Sequence, residues 1–396
     1  MRDKASTHHD VIIIGGGPAG LAFARSLAGC GLDIAIVERQ PLEALADPAF
    51  DGREIALTHR SAGIMAALGA WDRIDPAEIA PLRKAVVLNG GSPFALSFGG
   101  EAEGQDRLGH LVPNHLIRRS LFHSVAGQEG LSLITGQPVT EVRADRDQGL
   151  VRLADGRCLT GRLLVGADSR FSDVRGRLGI GAEINRLGRS MMVCRVDHEG
   201  DHGGVATEWF EHGHTMAMLP LNGRLSSAVL TLPTAAMDQL MRLSPAALGQ
   251  DLTQRYRERL GGMRPVSAPY VYPLATTYSH NFVGTRAALI GDAAVGMHPV
   301  TAHGFNFGLQ GQETLAGLIR EAAEKGRDIA APLLLRRYEM QHRLATRPLY
   351  TATNLIVGLY TDERLPQRLV RHAALRAAAG LPLIRQGVTR LLMQHR

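Results

Sequence analysis

The chain has 396 residues, 45% of them apolar and 21% charged, which suits a globular protein with a sizeable core and excludes a disordered or fibrous one. Its three cysteines, Cys30, Cys158 and Cys194, are far apart and form no CxxC pair, so a disulfide framework and a zinc knuckle are both excluded. The net charge of +6 is uneven: residues 364–396 hold seven arginines and no carboxylate, leaving the rest close to neutral, unlike a broadly basic nucleic-acid binder.

The first ten residues are short and polar, and the apolar run that follows covers only residues 11–14. A signal peptide needs a longer run and a membrane span about 20 residues, so a cytoplasmic protein is expected. Val11-Ile12-Ile13-Ile14 reads as a β-branched strand of the kind buried in a parallel sheet. A helix is expected from Pro18 to about Gly29, a strand over 32–37, and a helix over 58–68. Helical spacing returns over 114–126, through Leu116, Ile117, Leu121 and Val125. Alternating segments follow at 131–135, 140–144, 150–153 and 163–166. From 191 to 232 the pattern is mostly short strands with turns at Gly203-Gly204, Gly213 and Asn222-Gly223, which predicts an antiparallel sheet. A buried strand at 287–290 and helices over 305–323 and 331–344 complete the pass.

Gly15, Gly17 and Gly20 fit G-x-G-x-x-G, after a strand and opening a helix. The first glycine permits the tight turn, the second lets a pyrophosphate approach the backbone, and the third lets helix and strand pack closely. N–H groups at the helix start, around Pro18 and Ala19, face the anion. Glu38, at the end of the second strand and followed by Arg39, is placed to accept hydrogen bonds from ribose hydroxyls. It argues against a 2′-phosphate. These residues alone do not separate FAD from NAD.

Two later segments do. Gly166-Ala167-Asp168-Ser169-Arg170 through Arg175 resembles the "GADG..S..R" segment of the aromatic-ring flavin monooxygenases. Gly291-Asp292 resembles their "GD" segment, whose aspartate meets the ribityl chain of FAD. His298-Pro299 through Gly304-Phe305-Asn306-Phe307-Gly308 closely resembles the "HP..GQG.N.G" stretch of the ubiquinone-biosynthesis hydroxylases. The resemblance covers residues 10–360, with the motifs in the family's order. It implies that Asp168, Gly291, Asp292, Pro299, Gly304, Phe305 and Asn306 contact FAD, that Arg53 lies near the flavin, and that Asn114 and Arg119 belong to a cofactor-contacting helix. For Arg53 a surface salt bridge is the alternative. Gly304 and the helix after it would present N–H groups toward the flavin, where the reduced ring carries negative charge.

The implied fold is α/β: a discontinuous Rossmann-like FAD-binding domain (1–75, 111–178 and 281–330) with a mostly antiparallel β-sheet substrate domain (179–280) inserted. Residues 76–110 form an excursion of the substrate domain, and 331–396 form C-terminal helices and a basic tail. The implied activity is a monooxygenase in which NAD(P)H reduces FAD and O2 is carried, as a flavin hydroperoxide, to the ring of a polyprenylated phenol or quinone precursor. NAD(P)H is expected to bind transiently, since no second G-x-G-x-x-G is present. A reductase or epoxidase of an isoprenoid lipid, which shares this fold, is one alternative; a non-catalytic lipid- or partner-binding protein is another, against which the intact Gly15–Gly20 turn with Asp168 and Asp292 argues.

Two positions depart from the family: Ser169 replaces a glycine, and Ala302-His303 replaces Gly-Gln. His298 and His303 are thereby placed beside the flavin, as catalytic candidates that polarise a phenol or line the channel, or as packing residues. The pairs His198 with His202 and His212 with His214 read as surface histidines, and no metal site is expected. The tail alternates Leu365, Leu369, Val370 and Leu375 with Arg368, Arg371 and Arg376. It is a candidate for contact with the inner face of the membrane or with a partner biosynthetic enzyme.

Overall fold

In the computed structural model, residues 7–92, 95–99, 107–211, 213–301 and 303–361 are described. The basic tail, His212 and Ala302 lie outside them.

Val11, Ile12 and Ile13 are fully buried because their strand, Thr7–Ile14, sits at the centre of a sheet covered on both faces. It pairs in parallel with Ile34–Val37 on one side and Cys158–Gly166 on the other. Leu131–Ile134 and Ala287–Leu289 extend the parallel set outward. The register aligns Ile14 with both Val37 and Gly166. Three strand ends therefore open together onto Gly15, Glu38 and Ala167, the crevice where ligands of such sheets bind. The helices Pro18–Ser26 and Gly304–Glu324 pack over this sheet within one core that includes Leu21, Phe23, Phe307 and Leu315.

The second sheet has nine strands, with Ala182–His198, Leu225–Pro233, Thr215–Pro220 and Val205–Phe210 as consecutive neighbours. Its pairs are antiparallel except that Val205–Phe210 runs parallel to Lys84–Asn89, so the early excursion is stitched into this sheet. Side chains alternate strictly across it. Met192, Cys194, Trp209, Met216, Met218 and Leu230 point to one face and bury themselves under the helices Thr234–Leu240 and Pro245–Arg255. Met191, Val193, Glu208, Ala217 and Val229 point to the other face, toward the first sheet.

The expected short strands from residue 191 need correction. The first is a 17-residue strand beginning at Ala182, because its register shifts between Arg186 and Ser190 instead of breaking. Gly188, at φ +65°, absorbs that irregularity. The last helix also runs farther than 331–344, from Pro332 to Thr361, with Pro348 inside it. The helices Thr234–Leu240 and Pro245–Arg255 had no counterpart in the sequence reading. Nor are the histidines simply at the surface: His198 is 3% exposed, with Nδ1 against the Gly200 carbonyl and Nε2 against Ser226 Oγ. Among the described residues no cluster of His, Cys, Asp or Glu could hold a metal.

Candidate active site

The glycine turn takes its shape from close approach. Gly15 has φ +116°, and a Cβ there would stand 2.4 Å from the Ala167 carbonyl oxygen. A Cβ on Gly20 would stand 2.0 Å from the Gly15 carbonyl oxygen. Gly17 is different: a Cβ would meet nothing within 4 Å, because that side opens on the cavity. The turn is then tied to the neighbouring strand. Gly16 donates its N–H to Glu38 Oε2 at 2.7 Å, and Gln40 donates to Glu38 Oε1 at 2.8 Å.

The cavity measures about 1120 Å³, above the roughly 300–1,000 Å³ that hold one small ligand. Gly15, Gly17, Pro18, Ala19, Glu38, Arg39, Arg53, Asn114, Asp168, Gly291, Asp292, His298, Pro299, Gly304 and Phe305 all line it. Gly20, Arg119, Asn306 and His303 do not. Gly20 is the packing contact behind the turn. Arg119 lies 3.9 Å from Asp47 on the outside. Asn306 is buried, accepting from Thr58 N at 3.1 Å and donating to the Ala56 carbonyl at 2.8 Å, so it fastens a helix to the strand Glu54–Leu57. His303 is the buried N-cap position of Gly304–Glu324 and packs on Phe307, with ring centroids 5.8 Å apart.

The helices Pro18–Ser26 and Gly304–Glu324 both start at this cavity, and neither is capped by a side chain. First-turn N–H groups have no acceptor within their own helix, and the dipole adds positive potential. Gly291, at φ +60°, brings the Asp292 segment against the first of these helices, where a Cβ would stand 2.8 Å from Ala19 Cβ. Asp292 is held by Arg170, whose guanidinium donates to it at 3.0 Å and to the Ala275 carbonyl at 3.0 Å. Asp168 accepts from Ser172 Oγ at 2.6 Å and from the N–H groups of Asp173 and Val174. Its carboxylate therefore organises the start of the helix Asp173–Arg177 while facing the cavity. Ser169 replaces a glycine without strain, since its φ is not positive.

Arg53 is placed by a residue that the motifs did not single out. Asp51 Oδ2 accepts from Arg53 Nη2 at 2.6 Å and from Asn114 Nδ2 at 2.8 Å. Burial would raise the Asp51 carboxyl, but the hydrogen bond and charge of Arg53, with the bond from Asn114, hold it below the usual carboxylate range. Arg53 also lies over the Tyr272 ring, and the Tyr272 hydroxyl donates to the Asp51 carbonyl at 2.6 Å. A local signal existed, an acidic residue two positions before the arginine across Gly52. Glu54, farther in, pairs with Arg195 at 2.8 Å; burial nonetheless lifts its carboxyl to about 7.

His298 is 9% exposed, and burial together with the nearby Arg170 charge lowers it to about 4. It is neutral at physiological pH. Its Nδ1 accepts from the Val300 N–H at 3.2 Å, which puts the ring proton on Nε2.

Residues 8–352 match the model of the FAD binding domain family. The chain belongs to that family. It is 45% identical over 391 residues to the ubiquinone hydroxylase UbiM of Neisseria meningitidis, covering 98% of this chain and 85% of that protein. It is 33% identical to the ubiquinone hydroxylase UbiL of Rhodospirillum rubrum, covering 98% and 89%. Among solved structures it resembles p-nitrophenol 4-monooxygenase PnpA of Pseudomonas putida, with a TM-score of 0.78 over 99% of this chain and 100% of that one, at 18% identity. That likeness shows the fold. The cofactor is FAD, and the family's monooxygenases use NAD(P)H and O2. The open side of Gly17, the two uncapped helix starts and the cavity's size fit such a dinucleotide.

Proposed function

We propose that this protein hydroxylates the ring of a polyprenylated ubiquinone precursor, using FAD, NAD(P)H and O2. The observation that carries the substrate is the composition of the cavity's second wall. Opposite the polar, glycine-rich end stands a sheet face of Met191, Val193, Phe210, Ala217, Leu219 and Val229, apolar and wide enough for a ring and the start of a prenyl chain. The relatives at 45% and 33% identity are named as ubiquinone hydroxylases, which agrees with that wall.

When bound, FAD supplies the electron transfer and the oxygen activation. The chain supplies the rest. Gly15, Gly17, Pro18, Ala19 and Glu38 hold the pyrophosphate and ribose end, and Asp292 holds the sugar-like chain through its tie to Arg170. Gly304 and Phe305 present N–H groups to developing negative charge, and Arg53, fixed by Asp51, adds a cation beside it. The apolar wall excludes water, which would otherwise consume the activated oxygen unproductively. His298, neutral with its proton on Nε2, offers a donor to an oxygen of the substrate; His303, buried behind it, supports the helix start. The same reading assigns residues 1–75, 111–178 and 281–330 to cofactor binding, and 76–110 with 179–280 to the substrate.

No helix among the described residues is long and apolar enough to cross a membrane. A polyprenylated substrate nevertheless resides in the bilayer, so we assign the basic residues 364–396 to reversible contact with the inner membrane face, at about 1 kcal/mol per arginine. Quinone profiling of a strain lacking the protein tests the function. A prenylated precursor short of one hydroxyl should accumulate and disappear on complementation; an unchanged profile rules the substrate out.

A further inference from the structure

The cavity wall formed by the second sheet is mainly apolar, and among the described residues Glu208 is its one carboxylic acid. Glu208 sits in the middle strand Val205–Phe210, in register with Val87 on one side and Ala217 on the other. The row continues through Val229 and Val193, all presented to the same face. The residues flanking it alternate away: Trp209 lies in the core beneath, edge-on to Tyr256. Among the described residues no hydrogen-bond donor or counter-ion meets the Glu208 carboxyl. The other acids that line the cavity are engaged: Glu54 by Arg195, Asp292 by Arg170, Asp173 by Arg177, and Glu38 and Asp168 by backbone N–H groups. Arg189, which lines the cavity, donates to the Gly213 carbonyl.

A second polar group on the same face is equally unserved. Ser227 is 1% exposed, lines the cavity, and its Oγ has no hydrogen-bond partner. It lies two strands from Glu208 and one same-face step along. Buried polar groups are nearly always hydrogen-bonded, and an unserved one costs about 1–3 kcal/mol. Ser227 is such a buried group, and Glu208 faces the same cavity with no protein partner, so together they offer positions that a ligand's polar groups can fill.

We propose that Glu208 binds the ring hydroxyl of the substrate and accepts its proton, with Ser227 as a second anchor for a ring oxygen. This rests on the phenolic substrate proposed above. The surroundings select the ligand class: Val87, Ala217, Val229 and Val193, in register with Glu208 across the sheet, suit a ring and its prenyl chain. The step balances simply. In the ionised form of Glu208, which predominates above about pH 8, the O–H bond of the phenol breaks, its proton passes to a carboxylate oxygen, and the electron pair stays on the phenolate, making the ring a better nucleophile toward electrophilic oxygen. Burial alone lifts the Glu208 carboxyl to about 8. Against a phenol near 10, transfer is roughly a hundredfold uphill, compared with about a millionfold for an ordinary glutamate. The residue is therefore matched to its task by its position in the sheet.

The test is a comparison of two ligands against four proteins. The probes are a phenol carrying one short prenyl chain and its methyl ether; the proteins are the FAD-loaded wild type, E208Q, E208L and S227A. Binding is read by calorimetry, and turnover is read as kcat and KM separately. We expect E208L to bind the phenol at least tenfold more weakly than the wild type and the ether within twofold of it. E208Q should keep much of the phenol affinity, since an amide oxygen still accepts, while kcat falls because an amide takes no proton. S227A should weaken both ligands modestly. Flavin absorption and thermal melting report that each variant is folded. Equal losses for phenol and ether, or none for either, overturn the role of Glu208. A wild type that binds neither ligand while retaining FAD overturns the phenolic substrate, and this proposal with it.

Discussion

Gly16 donates its backbone N–H to the Glu38 carboxylate at 2.7 Å, so the residue proposed to meet a ribose also clamps the turn proposed to meet the pyrophosphate. Oε1 is engaged in parallel by Gln40 N at 2.8 Å. Substituting Glu38→Ala removes both acceptors. The FAD dissociation constant should rise about ten- to hundredfold, the effect of losing charge-assisted bonds. Titration of apoprotein with FAD, followed by flavin fluorescence, measures it. An unchanged constant would mean that Glu38 neither clamps nor binds.

Gly15 and Gly17 should fail differently. Gly15→Ala places a methyl 2.4 Å from a backbone carbonyl at φ +116°, so the apoprotein itself should melt several degrees lower. Gly17→Ala meets open space, so its apoprotein should melt like the wild type while FAD affinity falls by a hundredfold or more. Melting curves with and without FAD separate the two effects.

Asp51→Asn should release Arg53 and Asn114 together. Because the fold depresses the Asp51 carboxyl, its contribution to stability is present above the ordinary carboxylate range and is lost as pH falls through its lowered value. At pH 7 the variant should be less stable by about 1–3 kcal/mol, and the gap should close on acidification. Denaturant titrations at pH 7 and at pH 3 give both numbers.

Acid lability should arise from buried neutral histidines. Burial comes first at His298, His110 and His342, with Arg170 contributing at the first and Arg107 and His59 at the second; each is lowered to about 4. In the unfolded chain they protonate near 6.5. Between about 6.5 and 4 the unfolded state therefore binds more protons, and stability falls as pH falls, by up to about 1.4 kcal/mol per pH unit for each. H298Q and H110Q should flatten the melting temperature against pH in that window, and a slope unchanged from the wild type would contradict the assignment.

What was legible in the sequence was what is locally encoded. Strand, glycine spacing and Glu38 fall within one contiguous unit, so the strand–turn–helix and its tight glycines could be read directly. The Asp168 and Asp292 segments were legible through the family pattern, although the capping work of Asp168 needs Ser172 and Asp173 in place. Asp51 was missed because its importance depends on Asn114, 63 residues away. Glu208 was missed because an inward position in a strand is defined only when the neighbouring strands set the register. Asn306 shows the converse: its motif was read as a cofactor contact, and its amide is instead committed to Thr58 and Ala56. The helices under the second sheet are 7 and 11 residues long and share a core with side chains from several strands, so no local period announces their packing.

The central claim is that a ring oxygen of the product comes from O2. Purified FAD-loaded protein, supplied with NAD(P)H, a short-chain prenylated phenol and heavy-isotope O2, should yield a hydroxylated phenol carrying the heavy atom on the ring, seen by mass spectrometry. A product whose added oxygen comes from water, or NAD(P)H oxidation that leaves the phenol unlabelled in every preparation, would contradict it.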